Sequence, residues 1–184
     1  MLLLFVAGLL LVAGFLMDTE PLIQAAGAFQ LIGALFLIGR FWRHLAPSKW
    51  SWPVAHAHVR MAVIGMIISV ALILYLIGQL SSGKEFEEVL NVGLAFDHVN
   101  FIMVITNLVL AMMILSSNVS ESINKVVFWG VNVGILGFAV GLIAESSVVK
   151  RVFTPILGLA LLLAIFSHLF ASPAEVDSPD VPMT

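Results

Sequence analysis

The sequence predicts an all-α fold, a bundle of about six transmembrane helices. The chain of 184 residues is 61% hydrophobic and only 10% charged, and its mean hydropathy is +1.11. A soluble domain of this composition would have too few polar residues for its surface. The apolar residues form runs of about 20, which is the length that crosses a bilayer as an α-helix. Short polar segments with proline and glycine separate these runs.

Six spans can be drawn, and residues 1–170 are predicted to form a single transmembrane domain. The first span has no basic residues before it and no cleavage site after it, so we interpret it as a retained helix rather than a signal peptide. The tail, residues 171–184, carries three prolines and three acids and is predicted to be disordered. The predicted spans are Leu2–Met17, Pro21–Trp42, Pro53–Leu80, a helix from the lead-in Lys84–Glu88 to Leu115, Ile123–Ala144 and Val152–Phe170.

The basic residues near the span ends predict the orientation of the chain. Five of them fall on the side of the membrane where the chain begins and three on the other side. Because cytoplasmic loops carry the excess of lysine and arginine, both termini are predicted to be cytoplasmic, in a multi-pass protein of the plasma membrane. The five are Arg40, Arg43, Lys49, Arg60 and Lys125, and the three are Lys84, Lys150 and Arg151.

Charge and cysteine content exclude several classes of partner and cofactor. A net charge of −3 with only 8 lysines and arginines gives no basic footprint for nucleic acid. Without cysteine the chain can form no disulfide, no thiolate metal site and no covalent haem attachment through a CxxCH motif. The predicted partners are therefore the lipid bilayer and either other membrane subunits or further copies of this chain.

The five histidines are the first candidates for chemistry, because ionisable side chains at membrane depth are expensive and usually functional. The predicted topology places His44, His56, His58 and His168 near the side where the chain begins. His98 lies near the opposite side, one to two turns into the fourth span. His44 falls in a basic loop and is expected to be solvated.

His56 and His58 open the third span beside Arg60. Residues two apart on a helix point about 200° from one another, so the two histidines cannot ligate one metal from a regular helix. Either one, together with His168, could hold a haem iron between the third and sixth spans, and Arg60 could pair with a haem propionate. The alternative is that these histidines lie at the membrane interface and that Arg60 extends to the headgroups.

The fourth predicted span contains a second group of polar residues. Asp97, Asn100 and Asn107 fall on one stripe of a regular α-helix, which suggests a face turned into the bundle or towards a water-filled path. Hydrogen bonding between helices explains the same residues. His98, beside Asp97, is a candidate ligand of a second haem site.

The fifth span contains two small-residue patterns, Gly130-x-x-x-Gly134 and Gly137-x-x-x-Gly141. Such patterns let two helices approach closely. We predict packing within the bundle here, and a dimer face is the alternative. Two further polar residues of the spans, Gln30 and Asn132, are interpreted as packing contacts.

Three motifs resemble small membrane proteins related to haem–copper oxidase subunit I. They are His56-Ala57-His58-Val59 followed by Gly65, the segment Lys125–Gly134 with its FW-x-x-N-x-G pattern, and the closing stretch Leu163–Leu169. The resemblance covers residues 50–170 and implies a haem-associated helical bundle with His56, His58 and His98 as candidate ligands.

This sequence also departs from the pattern of the family. The oxygen-reducing members need adjacent histidines and a His-Pro-Glu type helix for copper, and neither a His-His nor a His-Pro pair occurs here. Six spans are half of the twelve expected for the catalytic subunit. The chain is therefore not expected to be a complete enzyme by itself.

The leading hypothesis is a membrane protein that binds haem b, or a haem–copper-oxidase-like subunit, acting in electron transfer in a respiratory chain. The alternatives are a small transporter or channel that uses the polar stripe of helix four, and a structural subunit whose histidines bind no cofactor. A bound haem separates the first hypothesis from the other two.

Overall fold

A computed structural model describes residues 19–41 and 54–173, together with six residues among the first 17. The chain is all-α, as predicted, and the described residues contain no β-strand. We name the helices in chain order, and a π-helical segment, π1, joins α3 to α4. They are α1 (Glu20–Phe41), α2 (Val54–Ser81), α3 (Phe86–His98), π1 (Val99–Thr106), α4 (Asn107–Ser116), α5 (Glu121–Ile143) and α6 (Ser147–Leu169).

Four helices are long and apolar enough to cross a membrane: α2, the continuous helix Glu87–Ser116, α5 and α6. The apolar part of α1 is shorter, Gly27–Arg40. The described part of the chain thus has four spans of membrane length and a shorter apolar helix, where six spans were predicted. The first predicted span, Leu2–Met17, lies mostly outside the described residues, and His44 lies outside them too.

Large apolar side chains cover the outside of the bundle as well as its core. Phe36, Phe101 and Leu159 are among many that are well exposed. Water would oppose such exposure, whereas lipid tails accept it, so this surface identifies a membrane protein. Inside, the continuous helix Glu87–Ser116 and helices α5 and α6 share one buried cluster, in which Val99, Val131 and Ile135 are fully enclosed.

The last helix begins earlier than predicted, at Ser147 rather than Val152. The Ser146 hydroxyl accepts a hydrogen bond from the backbone N–H of Val149 at 3.3 Å and caps the first turn. Lys150 and Arg151 therefore belong to α6, and the loop that was predicted to carry them is shorter.

The middle of the continuous helix Glu87–Ser116 is π-helical, where a regular α-helix was predicted. The Thr106 hydroxyl donates a hydrogen bond to the Phe101 carbonyl, five residues back, at 3.1 Å. A π-helix has more residues per turn than an α-helix, and short π segments occur often at functional sites. The segment therefore changes which residues of this span share a face.

The π-helical winding removes the predicted polar stripe of the fourth predicted span, which is the continuous helix Glu87–Ser116 in the structure. Asp97 is exposed, Asn100 lines a cavity beside α2, and Asn107 is completely buried in the bundle. Asn100 and Asn107 are seven residues apart, which places both on one face only if the helix between them is a regular α-helix. The prediction of one interior face for all three residues was wrong.

The glycines of α5 pack against α6, which confirms packing within the bundle. A Cβ added at Gly134 would lie 2.9 Å from Cα of Leu157, and one added at Gly130 would lie 2.6 Å from Cβ of Ala160. Real Cβ atoms do not approach other atoms so closely. A Cβ added at Gly137 would clash with Phe153 of α6, and one added at Gly141 would clash with Lys150 of α6.

We expect Gly134→Ala to lower the free energy of unfolding by about 1–3 kcal/mol, because the added methyl group overpacks a contact with backbone atoms. Gly78→Ala is the matched control, since nothing lies within 4 Å of its added Cβ. That change should be neutral or stabilising by up to about 1 kcal/mol. Unfolding by sodium dodecyl sulfate in mixed micelles measures both, and equal effects of the two substitutions would contradict the packing described.

The start of the predicted tail lies against the link between α4 and α5. The backbone N–H of Asn118 donates to the Ser172 carbonyl at 2.9 Å, and Ser117 pairs with Pro173. This contact holds the end of α6 beside the end of α4. The rest of the predicted tail, residues 174–184, lies outside the described residues.

Candidate functional site

The two histidines that open α2 have opposite environments. His58 is completely buried, with 0% of its surface exposed, whereas His56 is exposed. The 200° separation expected from the sequence therefore places His58 in the bundle interior. Of the two candidate ligands in this motif, only His58 faces other spans.

The His58 ring is held by an asparagine pair. Its Nδ1 lies 2.5 Å from Oδ1 of Asn107, which is also fully buried. The Asn107 amide nitrogen donates to the Met103 carbonyl at 2.8 Å and to Oδ1 of Asn132 at 2.9 Å. Because a carbonyl oxygen can only accept, these two bonds fix which end of the Asn107 amide carries the hydrogens.

The second asparagine is oriented in the same way. The Asn132 amide nitrogen donates to the Phe128 carbonyl at 2.8 Å and to Oδ1 of Asn107 at 3.3 Å. Oδ1 of Asn107 is thus the acceptor for two donors, and Nδ1 of His58 must carry a hydrogen. In the neutral ring Nε2 then bears a lone pair. Nε2 of His58 is buried and has no hydrogen-bond partner among the described residues.

His168, in the last turn of α6, has the same arrangement. Its Nδ1 lies 2.5 Å from the Ser117 hydroxyl, and that hydroxyl donates its one hydrogen to the Met113 carbonyl at 2.7 Å. Ser117 must therefore accept from Nδ1–H of His168. Nε2 of His168 again bears a lone pair, is buried, and finds no partner in the described part of the chain. The whole residue is 8% exposed.

The structure brings His58 and His168 to the same end of the bundle. Their helices, α2 and α6, do not pack closely on one another; α5 packs against both.

His98 lies apart from this pair. Its Nδ1 is 2.7 Å from the Leu94 carbonyl, one turn back in α3, and its ring centroid is 5.1 Å from that of Phe138. The carbonyl can only accept, so Nδ1 of His98 also carries the hydrogen. Within the described residues, no group of three histidine or acidic side chains could hold a metal ion.

Arg60 is buried, with 5% of its surface exposed. It lines a cavity of about 150 Å³ between α2 and α5, together with Phe128 and Asn132. The Phe128 ring contacts the His58 ring edge-on, with 5.1 Å between centroids. Arg60 thus lies beside the His58 network, buried in the bundle.

Sequence reasoning missed two members of this site. Asn132 was predicted to be a packing contact, and Ser117 was not singled out. The signal for Asn132 is an amide inside an apolar span, because a buried amide needs a hydrogen-bond partner on a neighbouring helix. Ser117 offered no such signal, since it follows the end of α4 and only the fold places it beside His168.

The fold and this site define a helical membrane protein with a pair of buried, oriented histidines. No known protein family, curated protein or solved structure matches the chain. The resemblance to haem–copper oxidase subunit I rests on the quoted sequence motifs.

Proposed function

We propose that this protein binds haem b, whose iron His58 and His168 would hold, and serves electron transfer in the membrane. One observation carries the proposal. Each of the two buried imidazoles donates Nδ1–H to a side-chain oxygen, and its Nε2 has no hydrogen-bond partner among the described residues.

This arrangement is what a metal-ligating histidine needs. Such a residue almost always donates its other ring N–H to an oxygen, which fixes the tautomer and raises the basicity of the ligating nitrogen. Asn107 and Ser117 provide these oxygens. A buried nitrogen that lacked any partner would be costly, and coordination would remove that cost.

The donor set fits haem iron better than a small metal ion. Two neutral imidazoles are a common axial pair in membrane cytochromes, whereas structural zinc takes four ligands. Haem, when bound, supplies one-electron oxidation and reduction. The protein holds the imidazoles, excludes water from them, and offers the buried Arg60 guanidinium as a partner for a propionate. His98 is proposed as the ligand of a second site near the opposite side of the membrane.

In the proposed topology the chain is a multi-pass protein of the plasma membrane with both termini in the cytoplasm. The His58–His168 pair then lies towards the cytoplasmic side. Electron transfer by one small chain requires a redox partner, so we propose that it acts as a subunit or accessory of a respiratory assembly rather than as an oxygen reductase.

The test is a reduced-minus-oxidised absorption spectrum of the purified protein, with total haem assayed on the same sample. We expect a sharp α band with one haem per chain, or two if His98 also serves. A colourless, monodisperse protein from haem-replete cells would overturn the proposal. That result would favour the alternative functions, a transporter or a structural subunit without a cofactor.

A further inference from the structure

A cavity of about 530 Å³ lies between α1, α2 and the continuous helix Glu87–Ser116, away from the histidine pair. Most of its lining is apolar, and three polar side chains interrupt it: Gln30 of α1, Ser69 of α2 and Asn100 of π1. Its volume is in the range of small-molecule sites, which are typically apolar with a few placed polar groups.

The cavity lies deep in the membrane. Ser69 is 15 residues beyond Val54 in a helix of 28 residues, so it lies about 22 Å along α2, close to its middle. Exposed Ile105 lies at the rim of the cavity. A ligand would therefore enter from the lipid phase, which restricts it to lipid-soluble molecules.

Ser69 is the residue that points to a polar ligand. Serine and threonine in membrane helices usually bond a carbonyl of the preceding turn, as Thr154 does to Lys150 and Ser167 to Leu163. The hydroxyl of Ser69 has no hydrogen-bond partner among the described residues, although the residue is only 3% exposed. Buried polar groups are rarely left unpaired.

We propose that this cavity binds a lipid-soluble carbonyl compound, with Ser69 Oγ–H as the donor to a carbonyl oxygen. Gln30 and Asn100 supply amide donors for other oxygens of the ligand. An acyl chain would fill the apolar walls but would leave the Ser69 hydroxyl unpaired. Within this class we infer a quinone, and that choice rests on the proposed redox function.

The test is saturable stabilisation of the detergent-purified protein against heat by a decyl-substituted benzoquinone, with decylbenzene as the oxygen-free control. We expect only the quinone to give a saturating shift in Tm. Ser69→Ala should weaken its binding about 3- to 10-fold, the value of one neutral hydrogen bond. Ser167→Ala, in α6, is the matched serine control and should leave binding unchanged.

A second pair of variants tests the location. Ala34→Phe fills the cavity and should abolish quinone binding, whereas Ala28→Phe places the same ring on the exposed face of the same helix and should not. Equal stabilisation by decylbenzene, or equal binding by Ser69→Ala and wild type, would overturn the inference. Haem is assayed on every sample, so that the two proposals are tested separately. If the protein contains haem but does not bind quinone, only this inference is overturned. If a colourless protein binds quinone, only the haem proposal is overturned.

Discussion

His58→Ala is expected to abolish stoichiometric haem binding, whereas His56→Ala is expected to leave the spectrum unchanged. The two residues lie on the same turn of α2, but only the His58 imidazole is buried, and its Nε2 has no hydrogen-bond partner in the part of the chain that the structure describes. His168→Ala should have the same effect as His58→Ala, because loss of either axial ligand leaves iron with one imidazole.

Haem content per chain and the α band of the reduced protein measure this prediction. Exogenous imidazole should restore part of the band in His58→Ala, since the substitution leaves space for the ring, and this rescue separates lost ligation from misfolding. A six-coordinate spectrum in His58→Ala with loss of haem in His56→Ala would contradict the assignment.

Asn107→Ala is expected to produce the second largest effect. The substitution removes the acceptor of His58 Nδ1–H and the partner of the Asn132 amide. Leaving a buried polar group unpaired costs about 1–3 kcal/mol, so we expect a loss of this order in the free energy of unfolding. We also expect a higher reduction potential, because the lost hydrogen bond makes the imidazole less basic and favours ferrous iron.

Asn91→Ala is the matched control. Asn91 donates a hydrogen bond to Glu145 at 3.1 Å near the surface, and such a change usually alters stability by less than about 0.5 kcal/mol. Unfolding in mixed micelles and a redox titration measure both variants. An unchanged potential with lowered stability in Asn107→Ala would show that the asparagine supports the fold but does not tune His58.

The π-helical segment explains why the His58 network was hidden in the sequence. On a regular α-helix Asn107 would share a face with Asn100, and both would meet the same neighbours. In the structure Asn107 meets His58 and Asn132, while Asn100 lines the cavity beside α1. A local change in helix winding thus separates two polar sites that the sequence suggested were one.

The sequence by itself determined the class of protein. The composition and the apolar runs of about 20 residues predict helices in a membrane, because a helix pairs its backbone N–H and C=O groups within the segment, where lipid offers no hydrogen bonds. It also determined that His56 and His58 point apart and that the α5 glycines mark a close helix contact, since both follow from helical periodicity. Only the tertiary structure decided which histidine is interior, that Ser117 lies beside His168, and how the Asn107–Asn132 pair fixes the hydrogens. These properties depend on which helices are neighbours. The spacing of residues along one helix carries no information about the residues of the helix that packs against it.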